Sequence, residues 1–490
     1  MNLGQLLVAA AERHPDAEAV VDAEERLTYA DLLERARGVA GGLAGLGVKP
    51  GERVVGALRN RVETVVLYWA CQWLGACFVP VNWRLKPDEI RYCATDADAT
   101  VFVAEPHVAE QVGARPAAVL PGGDPAPGPS DVRDGDPALM LYTSGTTGRP
   151  KGVPRSQRAE WSAALAHVIQ CRYRPGERTL GVMPLYHTMA VRSLLAMHAV
   201  GGCFVVRSEF NAAEAIEVIA SERVSALYLA PTLYHDLVEA LAGGARDGLP
   251  VPRLAYAGAP MSATLVERCS AAFAPEVFVN HYGSTEIYTF AVHGEQRAKP
   301  GCAGRPGLHG RLRLEPLTAD PGPEGGGADQ DDGNGVGEIL AALDSDEAFT
   351  GYWKRPDADA RAFTPDGWYR TGDLGHLDVD GDLWVVGRAD DMVISGGENI
   401  HPTEVEDTLV AHPAVIEAAV IGQADPRLGQ RVTAFVVTRE EIESSVLDAW
   451  CRRSALADFK RPREYRFVET LPKSPSGKLL RRLLREDPGP

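Results

Sequence analysis

The sequence lacks the marks of an exported or membrane-spanning chain. Its first twenty residues, MNLGQLLVAAAERHPDAEAV, have no basic segment before the apolar stretch, so they predict an amphipathic helix and not a signal peptide. The longest uncharged run, VVLYWACQWLGACFVPV, is interrupted by Gln72, Gly75 and Pro80. This pattern predicts a buried helix that ends near Gly75, followed by a buried strand, and it predicts no membrane partner.

Paired cysteines are also missing. None of the eight cysteines belongs to a Cys-x-x-Cys pair, which argues against a zinc site and against a disulfide framework. The spacing favours buried thiols in a reducing compartment, so we expect a cytoplasmic protein. The cysteines are Cys71, Cys77, Cys93, Cys171, Cys203, Cys269, Cys302 and Cys451.

Positive charge is scarce as well. The chain has 50 Lys and Arg residues against 67 Asp and Glu residues, a formal net charge of −17. This excess of negative charge argues against nucleic acid or an anionic membrane as the main partner. A small anionic ligand is still compatible with it, because loops, single lysines and a metal ion can hold such a ligand locally.

Helical and strand patterns alternate along most of the 490 residues. Strands separated by helices predict parallel α/β layers, and the chain is too long for one core. Segments rich in Pro, Gly and Asp at residues 113–136 and 318–337 predict loops, and the aspartates of DVDGDLWVVG predict a hairpin turn without a metal. The pattern changes between Arg388 and Asp390. We therefore predict an N-terminal domain, residues 1–388, and a C-terminal domain, residues 389–490.

A strand-like segment, ALMLYTSG, leads into a loop rich in glycine and hydroxyl groups, LYTSGTTGRPKG. The loop does not fit the pattern Gly-x4-Gly-Lys-Ser/Thr, because counting from Gly145 places Pro150 and Gly152 at two of the required positions. Its hydroxyls, its glycines and Lys151 nevertheless suit an anion-binding nest. The loop therefore predicts phosphate binding of a different kind, against the simpler alternative of a polar surface loop.

Three further stretches contain groups that suit nucleotide chemistry. In NHYGSTEIY, Tyr282 can stack on a base, Thr285 can donate to a phosphate, and Glu286 can hold a hard cation such as Mg²⁺. In GWYRTGDLG, Asp373 can accept two ribose hydroxyls, and in LPKSPSGKLLRRLLRE, Lys478 follows a glycine hinge. Ordinary turns and a solvated basic tail are the simpler explanations of each stretch taken alone.

In this order and spacing, the stretches resemble the adenylate-forming superfamily, which contains acyl- and aryl-CoA synthetases, luciferases and peptide-synthetase adenylation domains. The resemblance extends over essentially the whole chain and rests on YTSGTTGRPKG, MPLYH, YAGAP, YGSTE, YRTGD, GRADDMVISGGENIHPTEVE and PKSPSGKLLRR. It implies an α/β fold: a large N-terminal domain of layered α/β sheets, a small β-barrel-like subdomain, and a small mobile α+β C-terminal domain.

The resemblance also implies a site for ATP and Mg²⁺. Lys478 would bridge the carboxylate substrate and the α-phosphate, Thr285 would contact that phosphate, and Glu286 would bind Mg²⁺. Asp373, helped by Arg388, would bind the ribose. The other residues that would contact ATP or AMP are Thr143, Ser144, Gly145, Thr146, Thr147, Gly148, Lys151, Gly258, Ala259, Pro260, Tyr282, Gly283 and Ser284.

The implied reaction has two steps. The carboxylate attacks the α-phosphate to give an acyl-adenylate and pyrophosphate, and the thiol of coenzyme A then releases AMP. Between the steps, the C-terminal domain would rotate about a hinge at Asp390 and Lys478 would leave the site. The residues that would contact coenzyme A are Gly396, Gly397, Phe459, Lys460 and Arg461.

Within the superfamily, GGENIHP, LADFKRP and MPLYH most resemble the para-halobenzoate–CoA ligases. This resemblance implies a benzoate-type substrate, although Leu428 stands where those ligases have a tryptophan in the pantetheine channel. An imidazole and two tyrosines around a short slot suit a flat aryl carboxylate. The predicted acyl pocket consists of His187, Thr188, Tyr228, His281, Ile287 and Tyr288.

The sequence leaves other functions open. The nearest is a short- or medium-chain fatty acyl-CoA ligase, and the next is a stand-alone adenylation enzyme that loads a carrier protein. An ATP-binding switch and a scaffold protein belong to different classes: the separate Lys478 argues against the switch, and a scaffold would bind no nucleotide. We expect a monomer or a homodimer whose partners are a small carboxylate, ATP and coenzyme A.

Overall fold

The computed structural model describes residues 2–116, 120, 122–143, 149–245, 248–316, 335–395, 398–454, 456–473 and 479–486. Helices and strands alternate through these residues as the sequence pattern predicts, and the α/β fold class is confirmed. Among the described helices, none combines the length and the apolar character needed to cross a membrane.

The helices of the described residues are α1 Leu3–Arg13, α2 Tyr29–Gly45, α3 Val62–Leu74, α4 Pro87–Asp96, α5 Pro106–Val112, α6 Gln157–Gln170, α7 Thr188–Ala199, α8 Ala212–Ser221, α9 Pro231–Ala240, α10 Ala263–Phe273, α11 Pro356–Ala362, α12 Pro402–Val410, α13 Ser444–Arg453 and α14 Arg481–Glu486.

The strands are β1 Glu18–Val21, β2 Arg26–Thr28, β3 Arg53–Ala57, β4 Cys77–Pro80, β5 Ala99–Ala104, β6 Arg115–Pro116, β7 Pro137–Thr143, β8 Lys151–Ser156, β9 Arg178–Gly181, β10 Cys203–Val206, β11 Ala226–Leu229, β12 Arg253–Ala257, β13 Val277–Tyr282, β14 Ala291–His293, β15 Arg305–Pro306, β16 Leu312–Pro316, β17 Gly337–Ala342, β18 Trp368–Leu377, β19 Leu383–Arg388, β20 Val393–Ser395, β21 Glu398–Ile400, β22 Val415–Asp425, β23 Gly429–Thr438 and β24 Glu464–Phe467.

The largest sheet has nine strands in the order β15-β14-β13-β12-β11-β9-β10-β1-β2. The strands from β13 to β1 in this order are parallel, and β2, β14 and β15 pair antiparallel at the two ends. Parallel strands covered on both faces are continuous apolar runs, as in ALYL of β11 and CFVV of β10. Because these strands run in one direction, their carboxyl ends meet at one edge of the sheet.

A six-stranded sheet has the order β6-β5-β3-β4-β7-β8 and is parallel except for the antiparallel hairpin β7–β8. Helix α3 ends where the sequence predicts, because Gly75 adopts the left-handed conformation with φ of 66°. A Cβ at Gly75 would also lie 2.4 Å from Val132 Cγ1. The buried strand β4 follows directly, so the longest uncharged run is confirmed as a core helix and strand.

Two smaller sheets are built from the later part of the chain. One has the order β16-β17-β18-β19, and the other has the order β21-β20-β23-β22 with β24 beside β23. In the turn between β18 and β19, Asp378 Oδ1 accepts the N–H groups of Asp380 and Asp382 over 3.0 and 2.9 Å, and Gly381 has φ of 80°. The hairpin turn predicted for DVDGDLWVVG is therefore confirmed.

The chain divides into two compact units, Met1–Leu312 with Ala341–Tyr369, and Arg313–Leu340 with Arg370–Pro490. In the second unit, α12, β22, β23 and α13 pack around one apolar core that includes Val405, Leu409, Val420 and Leu447. The predicted domain boundary between residues 388 and 389 marks where the C-terminal domain would rotate, and it stays a prediction.

All eight cysteines are free and buried, so the predicted unpaired thiols are confirmed. Burial raises the pKa of Cys77 and Cys203 to about 12. These thiols therefore pack as small apolar side chains.

Candidate active site

Several predicted site residues of the first unit lie at the carboxyl edge of the nine-stranded sheet. Strand β12 leads directly into Gly258, β13 leads into Gly283, and the loop after β9 ends at His187. Tyr228 lies in β11, one residue before the end of that strand. Open α/β sheets bind ligands outside the carboxyl ends of their parallel strands, so the topology marks this edge as a binding site.

The predicted phosphate loop connects the two strands of a hairpin. Strand β7 ends at Thr143, β8 begins at Lys151, and the register pairs these two residues. Both ends of the loop are therefore held within one strand spacing. The predicted phosphate contacts between them lie outside the described residues: Ser144, Gly145, Thr146, Thr147 and Gly148.

Lys151 lies beside Glu286, the predicted magnesium ligand. Its Nζ is 4.0 Å from the centre of the Tyr352 ring, a cation–π contact. The Tyr352 hydroxyl donates to Glu286 Oε1 over 2.7 Å and lies 3.4 Å from the Tyr369 hydroxyl. Burial lowers the pKa of Lys151, and the Glu286 carboxylate opposes that shift. The structure thus brings a fixed carboxylate and an ammonium group to the end of the phosphate-loop hairpin.

A buried guanidinium, Arg155, supports Glu286 from the protein interior. Its NH1 donates to the main-chain carbonyls of Glu286 and Glu347 over 3.0 and 2.6 Å. Its Nε donates to Glu160 Oε1 over 2.9 Å, and its Cζ lies 3.8 Å from the centre of the Tyr288 ring. Arg155 and Tyr352 were not predicted from the sequence. The two positive charges of KGVPRS suggest an exposed strand, and only the fold shows which groups Arg155 and Tyr352 contact.

The backbone from Gly283 to Glu286 forms a tight turn. The Ser284 N–H donates to the Ile287 carbonyl over 2.9 Å, and Ser284 Oγ accepts the N–H of Glu286 over 3.2 Å. A Cβ on Gly283 would lie 2.1 Å from the Tyr288 carbonyl oxygen, so only glycine fits. The half-buried Thr285 is therefore fixed directly beside Glu286.

The residues predicted to bind adenine follow two adjacent strands. Gly258, Ala259 and Pro260 form an exposed loop after β12, and Gly258 has φ of 90°. Tyr282 ends β13, is half-buried, and packs edge-on against Phe290 with ring centres 5.2 Å apart. Because β12 and β13 are paired neighbours, the loop and the tyrosine lie side by side.

Two predicted acyl-pocket residues, Tyr228 and His281, are buried and in contact, with ring centres 5.4 Å apart. His167 of α6 packs against both, at 4.5 Å from Tyr228 and 5.0 Å from His281. Burial, and then the charge of Arg192, holds the pKa of both histidines well below the usual value, so both imidazoles are neutral. His167 and Arg192 were not predicted, because each lies within a helix whose pattern shows only which face is buried.

The other predicted acyl-pocket residues come from two further elements. His187 directly precedes α7, and Thr188 begins it. Burial lowers the pKa of His187 to about 4, and its Nε2 has no hydrogen-bond partner among the described residues. Ile287 and Tyr288 are buried directly after the Glu286 turn. The predicted pocket residues are therefore largely buried and uncharged.

The predicted ribose contacts lie together in the second unit. Strands β18 and β19 pair Asp373 with Arg388. Arg388 NH1 donates to Asp373 Oδ1 over 3.0 Å and to the Thr371 carbonyl over 2.9 Å. Thr371 Oγ1 accepts the Asp373 N–H over 3.0 Å, so the carboxylate is fixed by its own hairpin.

The second unit also contains the predicted hinge and the predicted contacts to coenzyme A. Asp390 is exposed in a short 3-10 turn between β19 and β20. Phe459 is 43% exposed, and the ammonium of Lys460 lies 5.7 Å from the centre of its ring. Lys460 Nζ also pairs with Glu404 over 2.7 Å.

Arg461, the third described residue predicted to contact coenzyme A, is placed differently. Its side chain is buried and forms ion pairs with Asp448 and, over 3.1 Å, with Asp458. In this arrangement two carboxylates of the second unit already bind the guanidinium.

The predicted catalytic residue, Lys478, lies outside the described residues, as do Gly396 and Gly397. Among the described residues near them, Lys473 forms an ion pair with Glu417, and Ser395 pairs with Glu398 across β20 and β21.

Glu286 fits a magnesium ion. Mg²⁺ takes oxygen ligands and is commonly held by one or two carboxylates together with substrate phosphates. The Glu286 residue is only 7% exposed, and the Tyr352 hydroxyl fixes one of its carboxylate oxygens. A nearly buried carboxylate at the end of a phosphate-loop hairpin is the ligand that such an ion needs.

Comparison with known proteins agrees with this geometry. Residues 7–353 match the AMP-binding enzyme family, and residues 404–478 match the AMP-binding enzyme C-terminal domain. A 4-chlorobenzoate–CoA ligase of Arthrobacter sp is 34% identical over 508 residues, covering 98% of this chain and 94% of the ligase. A feruloyl-CoA synthase of Amycolatopsis sp is 34% identical over 495 residues, covering 98% of this chain and 97% of the synthase.

A solved structure has the same fold. The O-succinylbenzoate coenzyme A synthetase of Bacillus subtilis, in complex with ATP and a magnesium ion, matches with a TM-score of 0.85 and 26% identity, covering 98% of this chain and 99% of that one. The family match spans most of the chain, and the two relatives align along nearly all of it. The resemblance of the motifs is thereby confirmed, and this chain belongs to the AMP-binding enzyme family, among its AMP-forming acyl- and aryl-CoA synthetases.

Proposed function

We propose that this enzyme is an ATP-dependent carboxylate–CoA ligase acting on a benzoate-type carboxylate. In the first step, a carboxylate oxygen attacks the α-phosphorus of ATP, a C–O–P anhydride forms, and the bond between the α- and β-phosphates breaks to release pyrophosphate. In the second step, the thiol sulfur of coenzyme A attacks the acyl carbon, the thiol proton leaves, and AMP departs. The observation that supports this reaction best is that Tyr352 joins the two groups at the phosphate-loop hairpin: the Lys151 ammonium lies over its ring, and its hydroxyl donates to Glu286.

The first step brings two anions together, so the chain must supply positive charge and fixed donors. Lys151 would contact the β- and γ-phosphates with Thr143 and the loop between them, and Thr285 would donate to the α-phosphate. Lys478 would bridge the attacking carboxylate and the α-phosphate. Glu286 would hold Mg²⁺, which neutralises phosphate charge when bound. The residues proposed to line the adenine and ribose sites are Gly258, Ala259, Pro260, Tyr282, Gly283, Ser284, Asp373 and Arg388.

The acyl-adenylate is a mixed anhydride that water would hydrolyse, so its surroundings must be dry. The buried imidazole of His281, the buried Tyr228 and the half-buried imidazole of His187 meet this requirement, and burial holds the pKa of both histidines below the usual value. An aromatic ring packs well between such flat side chains, because stacked and edge-on ring pairs add to the gain from burial. This geometry supports the aryl substrate.

For the second step, we propose that the C-terminal domain, residues 389–490, turns about Asp390 and replaces Lys478 by Gly396 and Gly397 at the site. The exposed Phe459 ring beside the Lys460 ammonium suits the adenine and phosphates of coenzyme A, and Arg461 would join them after leaving its aspartates. We place the enzyme in the cytoplasm, and the eight buried free thiols support this location.

The substrate class is tested by carboxylate-dependent release of pyrophosphate. The panel contains benzoate, para-substituted benzoates, cinnamates, and short and medium fatty acids, each with Mg-ATP and without coenzyme A. We expect release with the benzoates and none without a carboxylate. If octanoate is a better substrate than every benzoate, the aryl assignment is wrong.

The role of Lys478 is tested by measuring the two half-reactions separately. Lys478→Ala should lower acyl-adenylate formation by about 10²- to 10³-fold or more, because it removes charge stabilisation from the first transition state. It should leave the reaction of a preformed adenylate with coenzyme A unchanged. Lys473→Ala, which removes a lysine paired with Glu417, is the matched control and should spare both half-reactions. Equal loss of both half-reactions in Lys478→Ala would refute the domain rotation.

A further inference from the structure

Arg192 of α7 is a buried guanidinium whose hydrogen-bond partners among the described residues are all neutral. The residue is 1% exposed. Its Nε donates to the Ala163 carbonyl over 3.1 Å, and its NH2 donates to Gln170 Oε1 over 3.2 Å. Its NH1 is buried and has no hydrogen-bond partner among the described residues. Nor does any described carboxylate lie within ion-pair distance of it.

An arginine in this position cannot reduce its cost by losing a proton, because the guanidinium stays charged in proteins. A buried charge without a counter-charge is strongly unfavourable. A folded chain tolerates such a group most readily where a ligand supplies the missing negative charge.

The groups around Arg192 are those of the predicted acyl pocket. Burial raises the pKa of Tyr228 to about 12, and the charge of Arg192, together with a side-chain hydrogen bond between Arg192 and the neutral Tyr228 hydroxyl, opposes this rise. The same charge adds to burial in lowering the pKa of His167 and His281. Thr188, which is predicted to line the pocket, lies four residues before Arg192 on α7 and therefore shares its helix face. The unpaired guanidinium thus belongs to the region where the acyl group is expected.

Gln170 supplies a second donor beside the guanidinium. Its Oε1 lies 3.2 Å from Arg192 NH2 and 3.0 Å from His281 Nε2, so this oxygen accepts from both and the imidazole proton is on Nε2. The Gln170 Nε2 is consequently directed away from them, and it is buried without a partner among the described residues. Arg192 NH1 and Gln170 Nε2 are therefore two unpaired donors on side chains that are hydrogen-bonded to each other.

A bound cation is the competing explanation for this cluster. His167, Cys171 and His281 offer three ligand atoms within 4.8 Å of one another. However, Arg192 acts electrostatically on all three residues, and it already disfavours a proton on either imidazole. The same repulsion opposes a metal ion. The cluster therefore favours an anion.

We propose that Arg192 NH1 and Gln170 Nε2 bind a second carboxylate of the substrate, so that this enzyme activates one end of a dicarboxylic acid. The inference rests on the proposed function, because it assigns the far end of the same acyl pocket. One carboxylate reacts with ATP at the carboxyl edge of the sheet. The other keeps its charge and offsets that of Arg192, in the way that carboxylates pair with arginine elsewhere.

Matched acids test the proposal. Pyrophosphate release is compared between benzoate and terephthalate, between hexanoate and adipate, and between benzoate and para-hydroxybenzoate. We expect at least one dicarboxylate to exceed its monocarboxylate partner about 10-fold or more in kcat/KM, since a site built for a polar group rejects the analogue that lacks it. If para-hydroxybenzoate exceeds benzoate by as much as terephthalate does, the site recognises a neutral hydrogen-bond acceptor. That result would overturn the proposal of a second carboxylate.

Variants of Arg192 provide the second part of the test. Arg192→Met should reverse the preference by about 10-fold or more, and Arg192→Lys should retain part of it. Arg207→Met is the matched control; Arg207 is half-buried on the same unit and donates to the Val206 carbonyl, so its loss should leave the preference unchanged. Arg192→Lys keeps the test available if the methionine variant does not fold.

A binding measurement separates this inference from the proposed function. Terephthalate or adipate should raise the Tm of the wild-type enzyme and not that of Arg192→Met. If monocarboxylates react and no dicarboxylate is preferred or bound through Arg192, the inference fails and the ligase stands. If no acid releases pyrophosphate while a dicarboxylate still raises the Tm through Arg192, the proposed function fails and the binding site stands.

Discussion

Arg155 and Arg192 are both buried in the first unit, but the fold neutralises them differently. Arg155 pairs with the Glu160 carboxylate and donates to two main-chain carbonyls, so the chain itself supplies what its charge needs. Arg192 donates to one carbonyl and one amide, and no described carboxylate lies within ion-pair distance of it. Each guanidinium keeps one buried nitrogen without a hydrogen-bond partner among the described residues, so the two arginines differ in the counter-charge and not in that nitrogen. The first arginine joins β8, α6 and the Glu286 turn, whereas the second faces groups that are predicted to bind substrate.

The difference shows how to separate structural from ligand-binding charge in a buried region. A buried arginine with a carboxylate partner is part of the architecture, and removing it leaves the partner as an unpaired charge. A buried arginine without a carboxylate partner has no counter-charge until an anionic ligand binds. The following experiments test this distinction, from the largest expected effect to the smallest.

Arg155→Met should lower the free energy of unfolding by about 3–5 kcal/mol, because it leaves the Glu160 carboxylate buried and unpaired. Arg192→Met should change it by less than about 1 kcal/mol or raise it, because no carboxylate loses a partner. Urea denaturation of both variants measures the two effects. Equal losses would contradict the distinction.

The double variant Arg155→Met with Glu160→Leu is the control for this experiment. It removes both charges, so it should recover much of the stability lost in Arg155→Met alone. If the double variant is as unstable as the single one, the loss comes from the bonds to the Glu286 and Glu347 carbonyls and not from the stranded carboxylate.

Tyr352→Phe tests whether the region held by Arg155 also fixes Glu286, the proposed metal ligand. Losing the hydroxyl that donates to Glu286 Oε1 should raise the Mg²⁺ concentration needed for half-maximal pyrophosphate release about 10-fold, because partners of a metal ligand tune its affinity. Titration of Mg²⁺ at saturating ATP measures the change. Tyr29→Phe, which removes a buried hydroxyl bonded to the Gly202 carbonyl, should lower stability and leave the Mg²⁺ requirement as it was.

The smallest effect on stability is expected for a partly exposed arginine–glutamate pair, because water screens its charges. The Arg26 guanidinium, with Arg178, lowers the pKa of Glu18 from 4.5 to about 2 although burial opposes it. Since the folded pKa is the lower one, the stabilisation is present above about pH 4.5 and is lost as the pH falls toward 2. Partial exposure keeps it below about 1 kcal/mol.

The Tm of Glu18→Gln relative to wild type measures this term. The difference should be constant between neutral pH and pH 5 and should shrink as the pH falls toward 2. Glu34→Gln, at an exposed position without an ion pair among the described residues, should show no such trend. A difference that persists at the lowest pH would mean that the glutamate acts through packing.

Much of this site could be predicted from the sequence, because its residues follow strand ends. A buried run such as ALMLYT or VFVN predicts a strand, and glycine and polar residues after it mark the edge where ligands bind. That reasoning predicted Lys151 and Glu286 as site residues, but it did not predict the distance between them. It could not find Tyr352, which reaches Glu286 from 66 residues further along the chain.

The two buried arginines show the limit of the same reasoning. In TMAVRSLLAMHA the pattern says that most of the helix is apolar, and Arg192 would then be expected to point to solvent. Its burial follows from the packing of α7 on α6, and this packing brings no carboxylate of the described chain within ion-pair distance of it. Periodicity predicts which face of a helix is buried. It does not predict whether a charged side chain on that face finds an oppositely charged partner on the neighbouring helix.

The burial of all eight cysteines makes this enzyme a convenient subject for distance measurements by fluorescence. Thiol-reactive dyes need an accessible thiolate, so they should leave the native thiols unmodified. Cysteines introduced at Leu308 and at Val446 of α13, which are 53% and 41% exposed, would then be the reactive pair on the two sides of Asp390. Energy transfer between two such dyes would follow the proposed rotation about Asp390 during single turnovers.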